Sequence, residues 1–297
     1  MGEEANGKPA RGKRIDVMKT YKIYIDGKFP RTESGRYYVL NDKEGGVLAN
    51  VCQCSRKDFR DAVVAARKAQ HAWGARSAFN KGQILYRIAE MLEGRRAQFI
   101  AELTDQGYSD VRAKEEVDLS IDRLVYYAGW SDKFQQVFSS VNPVESSHFN
   151  FSVPEPTGVV SILSPENYGL IGLVSTIAPA IVGGNTVIVL ASSTIPLCAV
   201  TFAEVLHSSD VPAGVVNILT GHRSELLSHF SNHMDVNACI YAGDDAADIK
   251  KLQENASLNV KRPLIYTKDD WMKEDSHNPY RIMDLQEIKT TWHPIGQ

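Results

Sequence analysis

The chain has 297 residues, of which 43% are hydrophobic and 23% charged, with a formal net charge of -3. That is enough chain for one large domain or two ordinary ones with a sizeable core, and the balance excludes a disordered polar polymer. A charge so near neutrality gives no electrostatic footprint for nucleic acid or an anionic membrane, and no run approaches the roughly 18 apolar residues of a membrane span. The cysteines are Cys52, Cys54, Cys198 and Cys239. Cys52 and Cys54 form a C-x-C without a second pair, which is not a zinc framework. Sparse cysteine without a signal sequence points to a reducing, cytoplasmic setting, where the glycosylation triplets at Asn150 and Asn255 carry no meaning.

Residues 1–18 are polar and charged and read as a disordered tail. Glu3 and Glu4 argue against a mitochondrial transit peptide, and Asn6 does not complete a myristoylation start at Gly2. Residues 21–29 alternate and carry Asp26-Gly27, a hairpin turn signal, and short strands and turns continue to residue 54. Three helical patterns follow. Phe59, Val63, Ala66 and Trp73 share a face in 56–74. Ile84, Ile88, Met91 and Leu92 do so in 81–106, and Val117, Ile121, Leu124 and Ala128 in 111–138. The aromatic stripe of the last pattern reads as core. Residues 147–153 alternate again and run into Pro154-Glu155-Pro156.

The stretch 156–220 organises the rest. Three apolar, β-rich runs at 158–163, 186–190 and 215–219 are separated by helical segments at 170–182 and 196–207. Short runs without polar alternation suit strands buried on both faces, and strand-helix-strand repetition implies right-handed crossovers in a parallel sheet. Runs at 237–241 and 263–267 raise the sheet to about five strands. The expected fold class is α/β, a doubly wound parallel sheet with its crevice at the carboxyl ends of the strands.

The same stretch resembles the cofactor-domain half of the aldehyde dehydrogenase superfamily. The family's Pro-Trp-Asn-Phe-Pro corresponds to Pro165-Glu166-Asn167-Tyr168-Gly169, and its Ala-Pro-Ala to Ala178-Pro179-Ala180. Its Gly-Asn-Thr-Val-Val corresponds to Gly184-Asn185-Thr186-Val187-Ile188. Its Pro-Pro-Gly-Val-Val-Asn-Val-Val-Thr-Gly corresponds to the run from Pro212 to Gly221. Tyr126-Tyr127-Ala128-Gly129-Trp130-Ser131-Asp132-Lys133 is close to a further family motif, and the Asp26-Gly27 turn to the family's opening hairpin. The resemblance implies a Rossmann-type NAD domain over 19–267 with N-terminal helices. It also implies an oligomerisation arm at 147–155 and a closing strand at 285–297 that pairs across subunits. Residues 268–284 then read as a polar linker, with a solvated His277, where the family carries its whole catalytic domain.

The chemistry that the resemblance implies is largely missing. A family member attacks its aldehyde with a cysteine from a Gly-Gln-x-Cys segment, passes hydride to nicotinamide, and hydrolyses the thioester with a glutamate base. No such cysteine segment is present; Cys198 and Cys239 read as small core residues. The base's Glu-Leu-Gly-Gly-Lys corresponds to 258–263, which has neither glutamate nor glycine pair. Asn167 keeps the oxyanion-hole position, the only catalytic position retained. The Lys and Glu that hold the adenosine ribose correspond to Leu190 and Ser193. Where the pyrophosphate meets a helix start, the chain has Gly243-Asp244-Asp245, and carboxylates there compete with a phosphate for the same amides. Asn167, Leu190, Ser193, Gly243 and Asp244 thus outline a vestigial cofactor site, with no cofactor and no metal expected.

The chain is most similar to the shortened C-terminal region of aldehyde dehydrogenase family 16, down to Trp292-His293-Pro294-Ile295-Gly296. The resulting expectation is a non-catalytic domain that acts by association. It would form a homo-oligomer or pair with a catalytic aldehyde dehydrogenase unit, and would have no nucleic-acid or membrane partner. The alternative is an NAD-dependent aldehyde dehydrogenase, or half of one, whose nucleophile comes from another chain.

Overall fold

The computed structural model describes residues 19–296. Residues 1–18 and Gln297 lie outside them, and the tail expected at 1–18 with them. The described chain begins with β1 (Thr20–Tyr21), parallel to β3 (Val47–Cys52), whose other side pairs antiparallel with β2 (Tyr37–Asn41). Asp26 and Gly27 make the expected turn. Both are left-handed, at φ 52° and 71°, and Ile25 and Lys28 exchange backbone bonds of 3.0 Å. The arms do not extend into a free hairpin. Tyr24 instead exchanges bonds of 2.9 and 2.8 Å with Ile218, covering one edge of the central sheet.

Helix α1 (Arg56–Gly74) starts at a capping box in which Ser55 accepts from the Lys57 amide and Asp58 accepts from the Ser55 amide. The next two patterns each break into two helices. The expected 81–106 helix is α2 (Ala78–Gly94) and α3 (Arg96–Asp105). Gly94 weakens the helix at the join, and the turn lets the Arg95 guanidinium reach Glu204 at 2.6 Å. The expected 111–138 helix is α4 (Asp110–Trp130) and α5 (Phe134–Phe138). The chain turns at buried Ser131, which lies so close to α2 that a Cβ on Gly82 would stand 2.4 Å from its hydroxyl.

Two small strands follow, β4 (Ser140–Asn142) and β5 (His148–Pro156), and then the sheet domain. It alternates β6 (Val159–Leu163), α6 (Ile171–Val182), β7 (Thr186–Leu190), α7 (Leu197–His207), β8 (Val216–Leu219), α8 (Arg223–Asn232), β9 (Ala238–Ala242), α9 (Ala246–Ser257) and β10 (Arg262–Tyr266). The strands lie parallel in the order β10-β9-β6-β7-β8. Every residue of β6 to β9 is buried, as the unbroken apolar runs require. Alternate residues point to opposite layers. Val187 and Val189 join the α2–α7 side, and Ile188 and Leu190 join the side of α1, α8 and α9. Each such side chain contributes roughly 1.5–3 kcal/mol on burial. No helix among the described residues is long and apolar enough to cross a membrane.

Residues 268–284, expected as a polar linker, fold onto the sheet through a single 3-10 turn (Glu274–Ser276) and α10 (Tyr280–Met283). Trp271 is 2% exposed and packs with Ile171 and Ala242, and the Arg281 guanidinium lies 4.2 Å over Tyr266 and 4.9 Å over Trp271. His277 is half-buried rather than solvated. Its ring meets Tyr126 edge-on at 4.4 Å, and burial lowers its pKa. The closing strand β11 (Gln286–Pro294) was expected to pair across subunits. It pairs with β5 of its own chain in nine-residue register, forming the sheet β11-β5-β4. Side chains fasten its start: Arg262 donates to the carbonyls of Asp284 (3.0 Å) and Gln286 (2.7 Å), and Asn185 donates to that of Leu285 (3.1 Å).

Val260 is left-handed at φ 55° and 96% exposed, so no packing repays the clash of a branched Cβ. Val260→Gly is expected to raise the unfolding free energy by about 0.5–1 kcal/mol, the relieved strain less the added freedom of the unfolded chain. Urea unfolding of the two proteins measures it, and a loss of stability would contradict this account of the loop.

Candidate functional site

The strand order reverses between β6 and β9, and the crevice of a doubly wound sheet opens at that point. A cavity of about 350 Å³ lies there, between the loop after β6 (Glu166, Asn167, Tyr168), the loop after β9 (Gly243, Asp244, Asp245) and the start of α8 (Arg223). Trp271 and Asp269, from the segment after β10, also line it.

The chain's own side chains cross this crevice. The Arg223 guanidinium, 14% exposed, donates to the carbonyls of Ser164 and Ala242, at the ends of β6 and β9. It lies 4.8 Å over the Tyr241 ring and 3.7 Å from Glu166 Oε1. Glu166 Oε2 in turn accepts from the Ser193 amide (2.8 Å) and hydroxyl (3.1 Å) and from the Ser192 hydroxyl (3.1 Å). A Cβ on Gly243 would stand 3.0 Å from both the guanidinium and the Tyr241 ring, so a larger residue here would have to displace one of them by a few tenths of an ångström. Asp245 caps α9, accepting from the Asp248 amide at 2.9 Å, and Asp248 accepts from the Tyr241 hydroxyl at 3.2 Å.

Of the five positions outlined from the sequence, three line this cavity: Asn167, Gly243 and Asp244. Leu190 turns into the core at 2% exposure, and Ser193 serves Glu166. Asn167 is exposed; its backbone carbonyl is held by Tyr108 (3.0 Å) and Arg112 (2.9 Å), while its side chain has no hydrogen bond among the described residues. The segment 258–263, matched above to the general base, lies at the wrong end of the strand, because it leads into β10. The crevice end of β10 carries Tyr266, Thr267, Lys268 and Asp269, again without glutamate. All four cysteines are buried and unpaired by disulfides. Burial pushes the Cys54 and Cys198 thiols well above their ordinary range and Cys239 up to about 11. Among the described residues no His, Cys, Asp and Glu cluster could hold a metal.

The aldehyde dehydrogenase family model matches residues 29–266. The chain belongs to the aldehyde dehydrogenase family. It is 32% identical over 256 residues to cytosolic 10-formyltetrahydrofolate dehydrogenase of Mus musculus, covering 84% of this chain and 28% of that protein. It is 30% identical over 257 residues to the putative aldehyde dehydrogenase DhaS of Bacillus subtilis (strain 168), covering 84% of this chain and 51% of that protein. Among solved structures it is similar to PnpE from Pseudomonas sp. WBC-3 (TM-score 0.79, 25% identity), covering 83% of this chain and 50% of that one. PnpE has also been solved in complex with nicotinamide adenine dinucleotide. The chain thus spans about a quarter to a half of the length of these relatives. The shared part runs from residue 29, through the N-terminal strands and helices and the parallel-sheet domain, to the last residue of β10.

At the start of α9 this aldehyde dehydrogenase fold sets carboxylates where the pyrophosphate of a dinucleotide would need free amides. A pyrophosphate at the start of α9 would compete with the Asp245 cap for the same amides and would face Asp244 and Asp248. Arg223 reaches between the ends of β6 and β9 and forms one wall of the cavity there. Sequence reasoning passed over Arg223 and underweighted Glu166. Their signals were a basic residue just after the Thr220-Gly221 motif and a carboxylate where the family has tryptophan.

Glu116, fully buried, props the crevice from beneath. Its Oε1 accepts from the amides of Leu170 (2.7 Å) and Ile171 (3.1 Å) at the start of α6. Burial raises its pKa above the ordinary glutamate value of 4.5. A carboxyl that holds its proton more tightly when folded contributes stability below the unfolded pKa and loses it as pH rises through the folded one. Glu116→Gln keeps the acceptor and removes the charge. The variant's stability relative to the parent is therefore expected to rise from about pH 4 to neutrality and then level off. Denaturant melts across this range read the difference, and a pH-independent difference would rule the assignment out.

Proposed function

We propose that this chain is a non-catalytic aldehyde dehydrogenase-like domain that works by association. The observation that carries this reading is the Arg223–Glu166 pair that crosses the crevice, beside the carboxylates at the start of α9, where a family member would place its dinucleotide. The cysteines agree with it, since a buried, protonated thiol is a poor nucleophile. Asn167 then remains as a loop residue without an oxyanion to hold. Calorimetric titration with NAD and NADH is expected to give no saturable heat up to millimolar ligand. Arg223→Ala, which empties the switch point, is expected to leave the carboxylates at α9 and so still to bind weakly at best. Saturable binding by the parent chain would overturn the reading. It would favour an NAD-dependent half-enzyme whose nucleophile comes from another chain.

The surface for association is the β11-β5-β4 sheet. One face carries a polar ladder, in which Asn142 donates to Asn150 (2.6 Å) and Ser152 (2.9 Å) and Ser152 meets Thr290 (2.8 Å), with Ile288 and Trp292 exposed beside it on β11. The other face carries Val141, Phe149, Phe151 and Val153 in register, with Val141 68% and Phe149 45% exposed. An apolar face of this kind suits a second copy or a catalytic aldehyde dehydrogenase unit. Removing β11 would not isolate this face, because it also strips β5 of its nine-residue pairing partner. The double variant Val141→Asp, Phe149→Asp leaves the ladder and register intact. Sedimentation velocity is expected to show a monomer where the parent assembles. An unchanged mass distribution would count against this face.

A further inference from the structure

A second cavity, of about 310 Å³, lies between α1 and α8 and shares no residue with the crevice. Its lining is Arg56, Lys57, Phe59, Arg60, His229 and His233, with no carboxylate. Lys57 is engaged by Glu33, and Arg60 by Asp61 at 3.0 Å. Arg56 has no hydrogen bond or ion pair among the described residues. His229 lies in the last turn of α8, and His233 is the extended residue that follows the helix. His233 is oriented from two sides: its Nδ1 accepts from the Asp235 amide at 3.2 Å, leaving Nε2 as the donor, and its ring meets buried Phe59 edge-on at 5.8 Å. Both imidazoles titrate below the ordinary histidine value, from burial first. Around His229 the further causes are Arg56, His233 and Lys251; at His233 Asp235 raises the pKa and Lys261 lowers it. Lys261 is itself buried, donating to the His233 (2.6 Å) and Val236 (2.7 Å) carbonyls without a carboxylate partner. The cavity is therefore a small positive enclosure with one uncommitted guanidinium and two donor-capable imidazoles.

The rim adds a second feature. Met234, Leu258 and Val260 are 77%, 79% and 96% exposed. The loops that carry them are tied together beside His233, through Asn259 to the Asn232 carbonyl (3.2 Å) and Lys261 to that of His233. Exposed apolar tips beside a basic pocket match a phosphate that carries an apolar body as well as a free one.

We propose that Arg56, His229 and His233 form an anion site for a phosphate group, from a soluble phosphomonoester or from a phospholipid headgroup. The guanidinium supplies the fixed charge. The imidazoles take up protons as the anion binds, so affinity rises as pH falls through the histidine range. Sulfate, which remains a dianion across that range, separates this effect from titration of the ligand.

The test follows the imidazole resonances of the full chain as sodium sulfate or sodium phosphate replaces sodium chloride at constant ionic strength. His229 and His233 are expected to shift saturably, with sulfate bound about tenfold more tightly at about pH 6 than at about pH 8. Arg56→Gln, at an exposed position, is expected to weaken sulfate about tenfold while leaving the unfolding midpoint unchanged. His233→Gln is expected to flatten the pH dependence. Flotation with phosphatidylcholine vesicles, with and without phosphatidic acid, separates the two sources. Recovery that requires phosphatidic acid and is lost in both Arg56→Gln and Met234→Ser assigns the lipid. Sulfate binding without vesicle recovery assigns a soluble phosphomonoester. Histidine shifts that are the same in chloride and sulfate, with no vesicle recovery, would overturn the site.

Discussion

A parallel sheet buried on both faces leaves polar groups at its carboxyl end that no helix covers. Here Arg223 answers that constraint. One guanidinium satisfies the Ser164 and Ala242 carbonyls, stacks on Tyr241 and faces Glu166, whose carboxylate is spread over Ser192 and Ser193. Unmade hydrogen bonds at such a point would each cost a kcal/mol or more. In a dinucleotide-binding relative, ligand and water can meet part of that demand. This chain meets it with its own side chains. The exchange ties stability to the crevice, since what holds the strand ends together also lines it.

The second closure is made by the segment after β10. Relatives about twice as long continue there, and this chain crosses to β11 within twenty residues. A short crossover has to cover what it passes. Trp271 lies on Ile171 and Ala242, and Arg281 is sandwiched against Tyr266 and Trp271. Arg262 and Asn185 then fix the start of β11, which pairs with β5 along one of its two edges. The polar composition of 268–284 concealed this packing. One tryptophan and the alkyl and guanidinium parts of one arginine carry most of the contact, and a composition average does not register them.

The sheet was legible because its evidence is local. Runs such as Thr186–Leu190 are short, apolar and β-branched, and their order fixes the crossovers. The helix breaks at Gly94 and Ser131 were not legible from periodicity, because the apolar stripe continues across both. They are decided by tertiary partners, Glu204 for Arg95 and Gly82 for Ser131. At the site, motif comparison found the loop residues Asn167, Gly243 and Asp244 but misplaced the base segment by the length of a strand. A motif anchored on the amino end of β10 cannot report what stands at its carboxyl end. Arg223 escaped because its role depends on where a long side chain reaches, and sequence spacing does not determine that.

The losses at the crevice are coordinated, and this gives them functional weight. A single carboxylate near α9 could be drift around an unused ligand site. Here Leu190 turns into the core, Ser193 serves Glu166, Glu166 faces Arg223, and Gly243 provides the space that Arg223 needs. These side chains take one another as partners, so the changes are coupled. Reversing one of them would leave an unpaired group rather than a restored cofactor site. The crevice of this aldehyde dehydrogenase-like domain is therefore held by mutual dependence, Ser193 on Glu166 and Glu166 on Arg223, rather than by any one residue.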